Sequence, residues 1–333
     1  MVTRWGMTVP LGGVPLAGHA AVFAALSEAG FTDLWSSEVA GTDAFTPLTL
    51  AAAWQPGARL GTAITPVFTR GPALLAMTAG ALADVAPGRF QLGIGASSPV
   101  VAGDWNAADF ARPYARCRDM LQFLRAALAG EVVDREFETF RVRRFRLERP
   151  PATPPPVLLA ALRPGMLRLA ASAADGVILN WLAATDVPRA LAEAKVDRSD
   201  FDVVARIFVC PTEDAGYART AGRRMIAAYL TVPAYAEFHR WLGREPALRP
   251  MAQAWAAGDR RGALAAIPDE VVDELIVHGS PEQCRDHVAR YAAAGVDVPV
   301  MALVPTPELE KGGAEALARL LPRLGPGSFS RPG

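Results

Sequence analysis

Eight short apolar runs alternate with helical patterns almost from end to end of this 333-residue chain, and that alternation leaves few folds open. The runs that read as strands are Trp5 to Val9, Asp33 to Ser36, Arg59 to Ile64, Phe90 to Gly93, Val157 to Ala160, Gly176 to Asn180, Val203 to Cys210 and Val298 to Leu303. Between them lie helical segments: Ala17 to Ala29, Pro47 to Trp54, Pro72 to Val85, Tyr114 to Ala129, Met166 to Ala173 and Pro281 to Ala294. A strand, a helix and a second strand make one βαβ unit with parallel strands. Eight such units favour an α/β fold of the closed (β/α)8 kind, a TIM barrel, over a doubly wound open sheet. The expected domain is a single one spanning residues 1-325.

The composition suits a packed globule, with 51% hydrophobic and 20% charged residues. Lys plus Arg equals Asp plus Glu at 34 each, so no net field steers the chain to nucleic acid or an anionic membrane. The expected partner is a small-molecule substrate. Cys117, Cys210 and Cys284 lie far apart with no metal-ligand spacing, which suits a reducing compartment. The first residues, Met1 to Gly6, have no apolar signal core, and no apolar run approaches the roughly 20 residues that span a bilayer. A cytoplasmic location is expected.

Two segments interrupt the alternation. Glu131 to Glu148 sets Phe137, Phe140, Val142, Phe145 and Leu147 among arginines and glutamates, which reads as a solvent-facing hairpin inserted before strand five. Its basic run Arg141 to Arg149 is flanked by Glu131, Asp134, Glu136, Glu138 and Glu148, so a solvated hairpin is preferred to a phosphate patch. The stretch 229-267, after strand seven, carries Tyr229, Tyr235, Phe238, Trp241 and Trp255 and is too long and aromatic for a plain connection. It reads as a helical insertion over the barrel mouth, a lid or a dimer surface, with plain packing as the alternative. Pro150 to Pro156 is a stiff link, and residues 326-333 read as a frayed tail.

In a barrel, chemistry gathers where strands end. Gly88-Arg89-Phe90-Gln91-Leu92-Gly93-Ile94-Gly95-Ala96-Ser97-Ser98-Pro99 runs from a buried strand into a small-residue turn that a ligand can approach. Gly93-x-Gly95 resembles the start of a dinucleotide fingerprint, but Ser98 stands at the third glycine position and no helix opens directly after it. A cradle of backbone amides and the Ser97 and Ser98 hydroxyls, or simply a tight turn, are the two readings left. None of His19, His239, His278 and His287 falls in a metal-binding spacing, so no metal is expected, and no Gly-x-Ser-x-Gly elbow exists. Strand two ends in Trp35-Ser36-Ser37-Glu38, which places Glu38 at the catalytic face, as an acid or base or a partner for a ring nitrogen, or else as a helix-capping or ion-paired carboxylate. Strand six ends in Asn180-Trp181, an amide beside an aromatic plane, a pair that suits a flat heterocycle or its substrate.

Four of these motifs together resemble the bacterial luciferase-like superfamily, and most closely its branch that uses coenzyme F-420, a deazaflavin. They are Leu60-Gly61-Thr62-Ala63-Ile64-Thr65-Pro66, Gly88-Arg89-Phe90-x-Leu92-Gly93-x-Gly95, Pro156-Val157-x-x-Ala160-Ala161-x-x-Pro164 and Ala174-Asp175-Gly176-Val177-x-x-Asn180-Trp181. The resemblance runs from about Trp5 to Val304. It implies a cofactor at the C-terminal face of the barrel, with a non-proline cis peptide at Ala63-Ile64 behind its ring and Thr65 near it. It further implies Gly95, Ala96, Ser97 and Ser98 beside the cofactor, Asn180 and Trp181 at the ring, and the turn Ala160-Ala161-Leu162-Arg163 with its following helix around the phosphate.

Departures from the family pattern bear on substrate and cofactor. Related sugar-phosphate dehydrogenases carry a glutamate where this chain has Ser98, which argues against a sugar phosphate. Many relatives have two glycines where this chain has Leu162 and Arg163; the arginine offers a phosphate contact, whereas Leu162 suits an altered site. The implied activity is hydride transfer between C5 of the deazaflavin (an 8-hydroxy-5-deazaflavin) and a small organic substrate, with Glu38 as proton donor. The alternatives are an FMN-dependent monooxygenase served by a separate flavin reductase, and a non-catalytic binding or assembly protein on the same scaffold. A homodimer is expected by analogy.

Overall fold

The computed structural model describes residues 4–196 and 200–327. All eight expected strands form: β1 (Gly6–Thr8), β2 (Asp33–Ser36), β3 (Arg59–Thr62), β4 (Phe90–Gly95), β5 (Val157–Ala160), β6 (Gly176–Asn180), β7 (Asp202–Cys210) and β8 (Val298–Leu303). Every neighbouring pair is parallel, and the sheet closes because β8 pairs with both β7 and β1, Val204 facing Val298 and Gly6 facing Val300. The result is a (β/α)8 barrel wrapped by helices. Among the described residues no helix is long and apolar enough to cross a membrane.

Side chains alternate across a strand, so every second residue of each strand enters the barrel, and these residues stack in three tiers. The tier at the N-terminal ends is a polar plug. Arg4 bonds to Asp33 and, at 2.9 Å, to Asp202, which also accepts from Gln91. Burial would lower the Arg4 pKa, but the bonds and charges of Asp33 and Asp202 reverse this and raise it. The middle tier is apolar: Trp35, 1% exposed, packs with Leu158, Ile178, Val204, Val298 and Val300. Its indole fits because β3 carries Gly61; a Cβ there would lie 2.4 Å from the six-membered ring. Two residues further along each strand comes the top tier, Thr8, Ser37, Gly95, Ala160, Asn180, Arg206 and Ala302. These side chains are small or polar, which leaves the C-terminal mouth open.

The segments inserted into the alternation fold as follows. Strands Val133–Glu136 and Arg141–Phe145 pair antiparallel. Phe137, Phe140 and Phe145 surround Phe123 of helix Pro113–Leu128, with ring centroids 6.4, 6.2 and 5.7 Å away. One face of the hairpin is therefore buried, a correction to the solvent-facing reading, and Arg143 on the other face pairs with Asp134 and Glu136. After β7, helix Ala215–Leu230 carries Tyr229, and helices Pro233–Trp241, Glu245–Ala256, Arg260–Ala265 and Asp269–Leu275 follow. The chain then adds a short strand, Ile276–His278, to the outer end of β7. Of the expected tail, 328–333 lies outside the described residues, and Gly327 lies against Gly30.

Candidate active site at the barrel mouth

The sequence from Leu60 to Pro66 reads as one continuous strand, but β3 stops at Thr62 and pairing resumes at Thr65 and Pro66. Gly61 faces Gln91 and Thr65 faces Ile94, so three residues of one strand oppose two of the other, a β-bulge. The Ala63-Ile64 peptide inside it is cis. Side-chain bonds fill the gap in the ladder, since the Thr62 hydroxyl accepts from Gly93 N–H and donates to the Gly93 carbonyl, both at 2.8 Å. The bulge is also tied to β2, because Ala63 N–H donates to the Ser36 carbonyl and Glu38 N–H to the Ile64 carbonyl, at 2.6 and 3.0 Å.

At the mouth, polar atoms of the top tier and of the bulge are buried without partners among the described residues: the hydroxyls of Thr8 and Thr65, Asn180 Oδ1 and Arg206 Nε. Buried polar groups are normally bonded, so a cluster of orphans at strand ends marks a place for a polar ligand or ordered water. A cavity of about 550 Å³ opens beside two of them, Thr8 and Arg206, lined also by Ser37 and Ala302 of the top tier and by apolar residues such as Leu11 and Leu309. It covers the arc of β7, β8, β1 and β2. The residues expected to hold a cofactor occupy the other arc, β3 to β6.

On that second arc the sequence expectations fare unevenly. Ala63, Ile64 and Thr65 form the bulge, and Ile64 supports Gly95, where a Cβ would lie 2.7 Å from its side chain and 3.0 Å from Ala160. Gly93 is needed for packing rather than for ligand access, since a Cβ there would lie 1.9 Å from the Thr62 carbonyl oxygen. Ala96 and Ser97 are half-buried in the turn, Ala96 against the core, and Ser97 holds a left-handed backbone with φ 63°. Such a conformation costs a non-glycine residue roughly 1 kcal/mol and collects at functional sites. Ser98 caps the next turn by accepting from Val101 N–H at 3.3 Å, and its hydroxyl proton is left to donate elsewhere.

The turn after β5 presents the start of helix Pro164–Ala173, whose first turn has no side-chain cap. Ala161 N–H is spent on the Ile178 carbonyl, Leu162 packs against the core, and Arg163 is exposed with no ion pair among the described residues. An uncapped helix start beside a free arginine fits a phosphate. At the end of β6, Asn180 Nδ2 reaches the Tyr235 hydroxyl at 3.5 Å. Trp181 is not the open aromatic plane expected of it. It is buried, with φ 53°, between Phe208 and Tyr229 at centroid distances of 4.4 and 4.8 Å, and so anchors the helical insertion.

Glu38 is held in an ion pair. Its carboxylate takes three contacts from Arg70 at 2.8 to 3.2 Å, one from Thr69 Oγ1 and one from Ala44 N–H. A carboxylate gripped in this way holds a loop in place, and the ion-paired reading of the sequence is the one its surroundings support. Burial pushes Cys117, Cys210 and Cys284 up, to about 12, 11 and 12, so these thiols are not nucleophiles. Sequence reasoning overlooked Arg206, although an arginine at an inward position of the apolar run Val203 to Cys210 is visible in the sequence. It also overlooked Thr8, whose inward position follows from that of Gly6.

The family described as luciferase-like monooxygenase matches residues 2–298. The chain belongs to that luciferase-like family. It is 28% identical over 326 residues to a Mycobacterium tuberculosis protein named as a coenzyme F-420-dependent oxidoreductase, covering 87% of this chain and 92% of that one. It is 26% identical over 309 residues to the 5,10-methylenetetrahydromethanopterin reductase of Archaeoglobus fulgidus, covering 89% and 92%. The luciferase-like barrel is shared with the coenzyme F-420-dependent tetrahydromethanopterin reductase of Methanopyrus kandleri, with a TM-score of 0.73 at 21% identity over 96% of this chain and 98% of that one.

Proposed function

We propose that this chain is an oxidoreductase that uses coenzyme F-420 to pass a hydride to or from a small organic substrate in the barrel mouth. The observation that carries the reading is the set of orphaned polar atoms of Thr8, Thr65, Asn180 and Arg206 around the C-terminal strand ends. Relatives that use this coenzyme support it. When bound, a deazaflavin exchanges a hydride with an organic partner and disfavours reaction with oxygen.

The residues present fit such a group. Ala63 and Ile64 give an apolar back wall, the Thr65 hydroxyl and Asn180 Oδ1 offer polar contacts to a ring edge, and Gly95 to Ser97 border it. Arg163 and the start of helix Pro164–Ala173 suit the phosphate. Tyr229 and Tyr235, from the insertion, cover the side of the mouth at β6 and β7 and help to exclude water. With Glu38 paired to Arg70, these phenol hydroxyls are the favoured proton donors beside the top tier, Tyr235 through Asn180 and Tyr229 through Arg206. Burial pushes the Tyr235 hydroxyl up to about 12, so it holds its proton at neutral pH.

The test is isotopic: deuterium placed at C5 of the reduced coenzyme is expected in the product of any substrate the enzyme turns over. Product without label would contradict hydride transfer. A homodimer belongs to the same reading, supported by Leu74, Met77 and Val85, which are exposed on helix Pro72–Val85. Sedimentation velocity of the purified chain at micromolar concentration reads this directly, and a monomer would refute it.

A further inference from the structure

Arg206 is a cation in the barrel mouth that no carboxylate neutralises among the described residues, although surface arginines of this chain are widely paired. Its guanidinium lies 4.8 Å from the Phe208 ring centroid, and Tyr229 is its hydrogen-bonding neighbour. Its Nε is buried with no partner at all. Burial lowers its pKa, yet an arginine stays charged throughout the physiological range. A buried, unpaired charge is costly to maintain, so the mouth is electrostatically incomplete until an anion enters.

We infer that Arg206, with the Thr8 hydroxyl, forms an anion subsite that selects a substrate carrying one carboxylate on an apolar body. The inference deepens the oxidoreductase reading, since it rests on this mouth being the substrate site. Both residues line the same cavity, and the Thr8 hydroxyl also lacks a partner among the described residues, so both bring unspent donors to one site. The remaining wall is largely apolar, with Val9, Leu11, Val39, Leu303 and Leu317. Charge decides between carboxylate and phosphate. Among the described residues Arg206 is the single basic residue of the lining, and the acidic Glu310 lines the same cavity, so a monoanion is matched and a dianion is repelled.

The subsite is tested by calorimetric titration of the cofactor-free chain with three probes of one chain length: hexanoate, hexanamide and hexyl phosphate. Hexanoate is expected to bind at least about tenfold more tightly than either of the others, because it alone brings a single charge to Arg206. In Arg206→Met this preference is expected to vanish while hexanamide affinity is retained; in Arg206→Lys it is expected to persist in weakened form. Equal affinity for hexanoate and hexanamide, tighter binding of hexyl phosphate, no binding by any probe, or an undiminished preference in Arg206→Met would each overturn the subsite. Should Arg206→Met fail to fold, the wild-type comparison and Arg206→Lys still decide. Because no coenzyme is present, the outcome is independent of whether the chain binds coenzyme F-420.

Discussion

One hydroxyl, that of Thr62, makes both of the hydrogen bonds that Gly93 would otherwise exchange with a neighbouring backbone: it accepts from Gly93 N–H and donates to its carbonyl, each at 2.8 Å. This pairing lets β3 leave the ladder and form the bulge that carries Ile64 and Thr65 to the mouth. It also explains why glycine stands opposite, since no Cβ fits against the Thr62 carbonyl.

Thr62→Val keeps the shape of the side chain and removes the hydroxyl, leaving the Gly93 N–H and carbonyl buried without partners. Each such loss costs about 1 to 3 kcal/mol, so urea unfolding should show a destabilisation of a few kcal/mol. Thr62→Ser, which keeps the oxygen, is expected to recover most of it. Equal stability of Thr62→Val and wild type would refute the bridging role.

Glu38 is expected to behave as a positioning residue. Glu38→Gln weakens the grip on Arg70 and should lower stability by about 1 to 3 kcal/mol. The acid limb of the pH-rate profile is expected to stay in place, as for a carboxylate that carries no proton transfer. Loss of that limb in Glu38→Gln would instead make it the proton donor.

His239 supplies a pH dependence of stability. Burial, reinforced by the neighbouring charge of Arg244, holds its pKa down at about 3, against 6.5 in an unfolded chain. Between those values the unfolded chain binds the extra proton, so stability is lost as pH falls from about 6.5 towards 3. From pH 7 to pH 5 this residue should account for roughly 2 kcal/mol. Urea unfolding of wild type and His239→Gln at both pH values measures the difference in slope, and parallel pH dependence would contradict the assignment.

The barrel was legible because strand and helix periodicities alternate without ambiguity, and the core strands begin within a residue or two of where the apolar runs begin. The tiers were legible in principle too, because the inward parity of Trp35, Val204 and Val300 follows from period two. Pairwise facts were not. The run Leu60 to Pro66 gives no local sign that it breaks after Thr62, since the break depends on what Gly93 offers across the sheet. Glu38 carries no mark of Arg70, 32 residues later, and so its ion pair and its freedom to donate a proton looked equally open. Trp181 looked like a ligand platform because its neighbours Phe208 and Tyr229 come from later segments.

The central claim is that the bulge, Asn180 and the turn at Arg163 bind a deazaflavin. Fluorescence titration of the purified chain with oxidised coenzyme F-420 and, separately, with FMN tests it most directly. The expected result is binding of coenzyme F-420 with a Kd of roughly micromolar or tighter, at least about tenfold stronger than FMN, and weakened in Asn180→Ala. Tight FMN binding without coenzyme F-420 binding would favour the monooxygenase reading, silence from both would favour a non-catalytic scaffold, and either result would contradict the account.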